Sequence, residues 1–284
     1  MPSPHVNIPV DLRVESIGDV LDEVERVLQT RLDSGALVRK RRSLGARSDR
    51  GTWVRIERRR FDKIGSQGWN GTECAALLEG VAKPQWHRSV AWRQPAEAVM
   101  WRADETDLLP DAPVGSSVLA ADPALPDDWW QAFNRSLDAL AIQQTHRVAT
   151  PDTVTITQSG VAEAIRRFLP DGVHATVGRW LPAHADLNWA NMTGPEFCLF
   201  DWEDWGMAPQ GLDAASLRGN SLAVQALAER VRHERRHDLE SRDGKLMTLF
   251  ACSKILGADA HPQDPRLEPA RRVADQIAKE LQAD

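Results

Sequence analysis

The sequence predicts an α+β fold in two parts: a small antiparallel sheet with one helix, then a larger, mainly helical part. Three observations predict it. Short apolar runs of strand length, set off by glycine and charge clusters, recur between residues 36 and 101. After residue 127 apolar residues return at helical spacing instead. Between the two lies 104–127, rich in Pro, Asp, Ala and Ser, which reads as a connector. The expected boundaries are therefore 1–103 and 104–284.

Each element has its own signal. Val14 to Arg31 repeats apolar residues at 14, 17, 20, 21, 24, 27 and 28, one face of a helix. Ala36–Val38 and Thr52–Ile56 read as strands around a turn, Leu44–Gly51, marked by its glycines and Asp. Gly71 to Val81 reads as a short helix, and Trp86–Trp92 and Ala98–Trp101 as two more strands. Helices are expected over 129–146, capped by Asp127 and Asp128, and over 160–169, capped by Ser159. Short strands around 180–181 and 198–200 then interrupt the helical pattern. Helices resume over 212–236, 244–256 and 267 to the end.

Bulk properties narrow the functional classes. The chain has 284 residues, a formal net charge of -6 and 42% hydrophobic residues, enough for a real core. Its three cysteines, Cys74, Cys198 and Cys252, are widely spaced without a CxxC. That disfavours a disulfide framework or a zinc site and fits a reducing cytoplasm. No N-terminal leader pattern and no long apolar span is present, so a membrane role is not expected. The basic runs Arg39–Arg42 and Arg58–Arg60 read as solvated strand edges or as phosphate contacts. Nucleic acid is not an expected partner of a chain this acidic. Eleven Trp accompany no Tyr; such rings pack cores first and line ligand sites second.

One stretch carries chemistry: His184-Ala-Asp186-Leu-Asn188-Trp-Ala-Asn191, followed by Leu199-Phe200-Asp201-Trp202-Glu203. Phosphoryl transfer needs metal on the phosphate oxygens, positioning, and a group that orients or deprotonates the attacking hydroxyl. Magnesium takes hard oxygen ligands, commonly one or two carboxylates with waters and phosphates. Asp186 would serve the acceptor hydroxyl, and Asn191 and Asp201 the metal.

His184-x-Asp186-x-x-x-x-Asn191 with Asp201-Trp202-Glu203 resembles the aminoglycoside phosphotransferase and small-molecule kinase family. The resemblance implies a two-lobed protein-kinase-like fold with ATP and Mg2+ as cofactors. It implies catalytic Asp186, a loop-orienting His184 and metal ligands Asn191 and Asp201. Gly211-Leu-Asp213-Ala-Ala215 is similar to the family's Gly-x-Asp-Leu-Ala element, which makes Asp213 a brace for the catalytic loop. The close match covers about thirty residues; the order of elements extends it loosely over the chain.

The first half departs from the family. Thr52-Trp-Val-Arg55-Ile has Arg where the family has a phosphate-contacting strand Lys; Arg contacts phosphate bidentately, with different geometry. Glu73 is the candidate partner of Arg55, or a plain first-turn helix acid. Val99-Met100-Trp101-Arg102-Ala103 falls where the family's interlobe hinge binds adenine, which makes Met100, Trp101 and Ala103 candidate nucleotide contacts. No Gly-x-Gly-x-x-Gly is present. Trp189, Asn188 and Glu203 are candidate acceptor contacts, since aromatic faces beside acids suit a cationic or sugar-like molecule; core packing is the competing role for the Trp rings. The expected activity is ATP-dependent phosphorylation of a hydroxyl on a small molecule such as an aminoglycoside, amino sugar or amine alcohol. The alternative is a catalytically weak or inert kinase-like nucleotide-binding module. The sequence leaves the oligomeric state open.

Overall fold

The structure, a computed structural model, describes residues 11–65, 67–94 and 97–283. The chain forms two compact units, Met1–Ala76 with Pro84–Pro110, and Leu77–Lys83 with Asp111–Asp284.

The first unit is built on a five-stranded antiparallel sheet: β1 (Val38–Arg39), β2 (Ser43–Arg47), β3 (Thr52–Arg60), β4 (Trp86–Gln94) and β5 (Val99–Asp107), in the order β1-β2-β3-β5-β4. Alternation sorts its two faces. Leu44, Ala46, Val54, Ile56, Val99, Trp101 and Ala103 form one buried face, packed with Val24 and Leu28 of helix α1 (Gly18–Leu28). Each Val, Leu or Ile side chain among them contributes about 1.5–3 kcal/mol by leaving water. The other face carries Arg55, Glu57, Arg102 and Asp104, with Arg55 directly opposite Gly45 on one side and Asp104 on the other.

Two expectations change here. Residues 44–47 belong to a strand rather than a turn, and the turn is 48–51, closed by Gly51 at φ +75°. Gly45 is small because the Trp53 ring lies across it: a Cβ there would sit 2.1 Å from Cζ2. β5 also runs on to Asp107, because its charges are paired. Asp104 accepts from Arg102 and from Trp86 Nε1, while Glu105 accepts from Thr52 Oγ1 and Arg88 Nε. The helix expected over 71–81 is shorter, α2 (Gly71–Ala75), and α1 begins at Gly18 rather than Val14.

The second unit is mainly helical: α3 (Asp127–Ala141), α4 (Gln158–Ile165), α5 (Leu212–Ser221), α6 (Gln225–Glu234), α7 (Arg236–Leu239), α8 (Arg242–Ile255) and α9 (Leu267–Ala283). The helix expected over 212–236 is thus divided. α5 ends at Ser221, whose hydroxyl turns back to Leu217 O. One antiparallel ribbon interrupts the helices, β6 (Trp180–Ala183) paired with β7 (Gly206–Pro209), Ala183 facing Gly206. This ribbon clamps both ends of the 184–205 loop. Residues 198–200 form an extended segment with a single bridge, Met192 to Leu199, instead of the expected strand. The starts of α5 and α8 touch through glycines: a Cβ on Gly211 would lie 2.8 Å from Gly244 Cα. A Cβ on Gly244 would lie 1.8 Å from Asp238 O. Among the described residues no helix is long and apolar enough to cross a membrane.

Candidate active site

The 184–205 loop is pinned from beneath before it presents any functional group. Asp213, in the first turn of α5, accepts from His184 N at 2.7 Å and Ala185 N at 2.9 Å. Asp243, in the first turn of α8, accepts from Gly178 N at 2.9 Å and Arg179 N at 2.7 Å. Two carboxylates at adjacent helix starts therefore hold both ends of β6, and each satisfies backbone donors that would otherwise be left unpaired. Burial pushes the Asp213 carboxyl up, against the lowering effect of His184 and of the two N–H groups.

His184 is fully buried, its ring edge-on to Trp202 at 4.7 Å. Its Nε2 lies 3.0 Å from Phe200 O, and a carbonyl only accepts, so Nε2 carries the proton. Desolvation holds its pKa below 6.5, which makes the ring neutral. This residue joins the 184 segment to the 200 segment; its place is that of a brace. Phe200 N bonds to Asn191 O and Thr193 N to Cys198 O, which folds residues 191–200 back on themselves and brings Asn191 beside Asp201.

Asp186 stands at the open side of this frame. It is exposed, yet closely ringed by protein. Desolvation first, then the charge of Asp201, raise its pKa, while the amides of Asn191 and Asn188 lower it. Asn191 Nδ2 donates to Asp186 O and Oδ2, both at 2.9 Å. Asn188 Nδ2 donates to Asp186 O and Oδ1, both at 3.0 Å. Ala185 and Asp201 both adopt left-handed backbone, at φ +69° and +71°. Such conformations cost non-glycine residues about 1 kcal/mol or more and are held only where the surroundings enforce them.

The structure gathers Asp186, Asn188, Asn191, Asp201, His184 and Asp213 into one constellation. Asn191 commits its Nδ2 to Asp186, so its Oδ1 is the atom left for a cation. With Asp201 it offers the hard oxygen donors that magnesium uses alongside phosphates and water. Among the described residues no three His, Cys, Asp or Glu side chains cluster as metal ligands, and an ion completed by phosphates does not require them. The mutual charge of Asp186 and Asp201 fits a site completed by a cation.

Several expectations are corrected. Trp189 is fully buried, its Nε1 on Ser221 Oγ at 3.0 Å and its ring stacked on Trp129 at 6.0 Å. It fastens the loop to the helical core and has no surface for an acceptor. Trp202 and Trp205 are core residues too, at 2% and 3% exposure. Asn188 turns toward Asp186 rather than outward. Asp204 is half-buried and accepts from Thr150 Oγ1 at 2.7 Å. Glu203 is half-buried. Sequence reasoning missed Trp129, whose Nε1 donates to Thr193 O at 2.7 Å, and Asp243. Neither carries a local signal, because each acts on a residue far away in the chain.

In the first unit, Arg55 Nη2 pairs with Glu57 Oε1 at 2.5 Å. Glu73 is not its partner: Glu73 accepts from Arg102 Nη2 at 3.1 Å, and Arg102 also grips Asp104 through two bonds of 2.6 Å. Met100, Trp101 and Ala103 are not a hinge. They lie inside β5, between β3 and β4, so strand pairing occupies their backbone groups. Trp101 and Ala103 also point into the α1 core.

No family profile and no curated protein matches the chain. Solved structures do. A thermostable mutant of aminoglycoside phosphotransferase APH(4)-Ia, in a ternary complex with ADP and hygromycin B, superposes with a TM-score of 0.56 at 10% identity, over 93% of this chain and 98% of that one. The streptomycin–ATP–APH(2")-IIa ternary complex gives 0.52 at 11% identity, over 94% and 99%. At this identity the likeness is one of fold: the chain has the protein-kinase-like fold of these small-molecule kinases, a five-stranded antiparallel sheet followed by a mainly helical part.

Proposed function

We propose that this chain is a small-molecule kinase that transfers the γ-phosphoryl group of ATP to a hydroxyl of an aminoglycoside, amino sugar or amine alcohol. The observation that carries the reading is the Asp186 carboxylate, held by two amides at 2.9–3.0 Å beside Asp201 on this fold. Asp186 orients the acceptor hydroxyl and takes its proton as the bond to phosphorus forms. Asn191 Oδ1 and the Asp201 carboxylate hold Mg2+, which neutralises phosphate oxygens when bound. Arg55 contacts the donor's phosphates. His184 and Asp213 keep the loop in place without touching the reacting atoms. The acid at 203, next to the metal-binding segment, favours a cationic acceptor, with Glu203 its candidate contact.

The test is ADP release from purified protein with ATP, Mg2+ and a panel of amino sugars, amine alcohols and nucleosides. Turnover that disappears in Asp186→Ala and Asp201→Ala supports the reading. The pairing of Glu73 with Arg102, and Arg at position 55, favour a second reading, an inert nucleotide-binding module. That reading expects ATP with Mg2+ to raise the melting temperature, Asp201→Ala to abolish the rise, and no acceptor to yield product.

A further inference from the structure

Asn188 does two jobs with one amide. Its backbone is extended, at φ −153° and ψ 167°, and it caps the short 3-10 turn Trp189–Asn191. Its Oδ1 accepts from Ala190 N at 3.0 Å. That bond fixes which end of the amide is which: a flipped amide would set N–H against N–H. With Oδ1 committed, Nδ2 faces Asp186, where it reaches both the carbonyl and Oδ1 at 3.0 Å. Asn191 mirrors it on Oδ2 and the same carbonyl. Each carboxylate oxygen of Asp186 thus takes one amide proton and keeps lone pairs on its open side. Rotation of the carboxylate would break both bonds together. Asn188 is 7% exposed, so water does not readily replace it.

Amides suit this task. An Arg or Lys in the same place would orient the carboxylate but neutralise it, whereas a neutral donor leaves the charge available to an incoming hydroxyl. The two amides also differ in duty. Asn191 has its Oδ1 free for a cation, whereas both ends of Asn188 are spent within the loop. We infer that Asn188 is a positioning residue, which locks the Asp186 carboxylate in the orientation that receives the acceptor hydroxyl and is set before any ligand binds. The inference rests on Asp186 being the base of the proposed reaction.

Two variants separate positioning from capping. Asn188→Asp keeps the oxygen that caps Ala190 and replaces the donor facing Asp186 with an acceptor. Asn188→Ala loses both. Positioning predicts that kcat falls about ten- to a hundredfold in both variants, as misplacement of a catalytic group does. The KM for ATP stays within about threefold, and both variants lose thermal stability, the Ala variant through the lost cap and the Asp variant through a second carboxylate set against Asp186. A kcat within about threefold of the native enzyme in both variants overturns the inference and leaves Asn188 a cap. If the native protein itself releases no ADP, the kinase reading fails. The positioning claim is then read from crystal structures of the two variants. A turned or disordered Asp186 carboxylate supports it, and an unchanged carboxylate overturns it.

Discussion

Asp186 and His184 sit two residues apart and respond to their surroundings in opposite senses. Asp186 carries an ionic group that burial and Asp201 disfavour. Replacing it removes a base and a repulsion but also one acceptor of the Asn188 and Asn191 amides, so Asp186→Asn lowers kcat by about 10²–10⁴-fold while the two stability effects offset and the melting temperature changes little. A melting temperature several degrees lower would mark Asp186 as a structural residue instead. His184 is neutral because it is buried, with a pKa below 6.5. Below that pH the unfolded chain takes up a proton that the folded chain refuses, so stability falls as pH drops through the window under 6.5. Above 6.5 its contribution is flat. Asp213, with its raised pKa, works the other way: it favours the folded chain at low pH, and that contribution is lost as pH rises through its folded pKa. His184→Gln isolates the first effect. The drop in melting temperature between about pH 7.5 and 5.5 is expected to be smaller in the variant than in the native chain. Equal drops would mean that the buried imidazole is not what the acid titrates.

At the level of elements, the site depends on two helix starts brought close by glycines. Gly244→Ala forces a methyl group into Asp238 O, a backbone atom with little room to move, at 1.8 Å. We expect a loss of about 3 kcal/mol or more, measured by denaturant unfolding. A loss under about 1 kcal/mol would show that α8 can shift away without cost. Asp213→Ala leaves His184 N and Ala185 N without their acceptor in a buried setting, at about 1–3 kcal/mol for each orphaned group. Elements were also where the sequence was most uneven as a guide. The helices of the second half announce themselves by period, and the acid–amide–acid spacing by its residue types. Gly45 misleads, because a glycine under a Trp ring and a glycine in a turn look alike in sequence. Asp104, Glu105 and Asp107 hide a strand, because their partners Arg102, Arg88 and His87 are not adjacent in a way that hydropathy reports. Trp189 sits inside the catalytic motif, and the Trp129 and Trp130 rings of α3 packed on it show it to be core. Glu73 follows the family pattern in position but not in partner, since the cation that reaches it comes from β5.

At the scale of the whole molecule, the fold is that of small-molecule kinases, and the helical unit carries a constellation suited to their chemistry. The sheet unit departs from the familiar arrangement through Arg55, Glu57, Glu73 and Arg102. If Arg55 grips phosphate through its planar fork, Arg55→Lys raises the KM for ATP about tenfold while kcat changes less. An unchanged KM would assign donor binding to other side chains. The central claim is metal-assisted transfer of phosphate to a small-molecule hydroxyl, and the most direct measurement follows that phosphate. Purified protein is incubated with ATP, Mg2+ and a panel of amino sugars, aminoglycosides and amine alcohols, and the products are read by mass spectrometry and phosphorus NMR. The account predicts at least one acceptor bearing a new phosphate ester, formed with stoichiometric ADP and lost in both Asp186→Ala and Asp201→Ala. No phosphorylated acceptor across the panel, from protein whose melting temperature ATP and Mg2+ still raise, would contradict it.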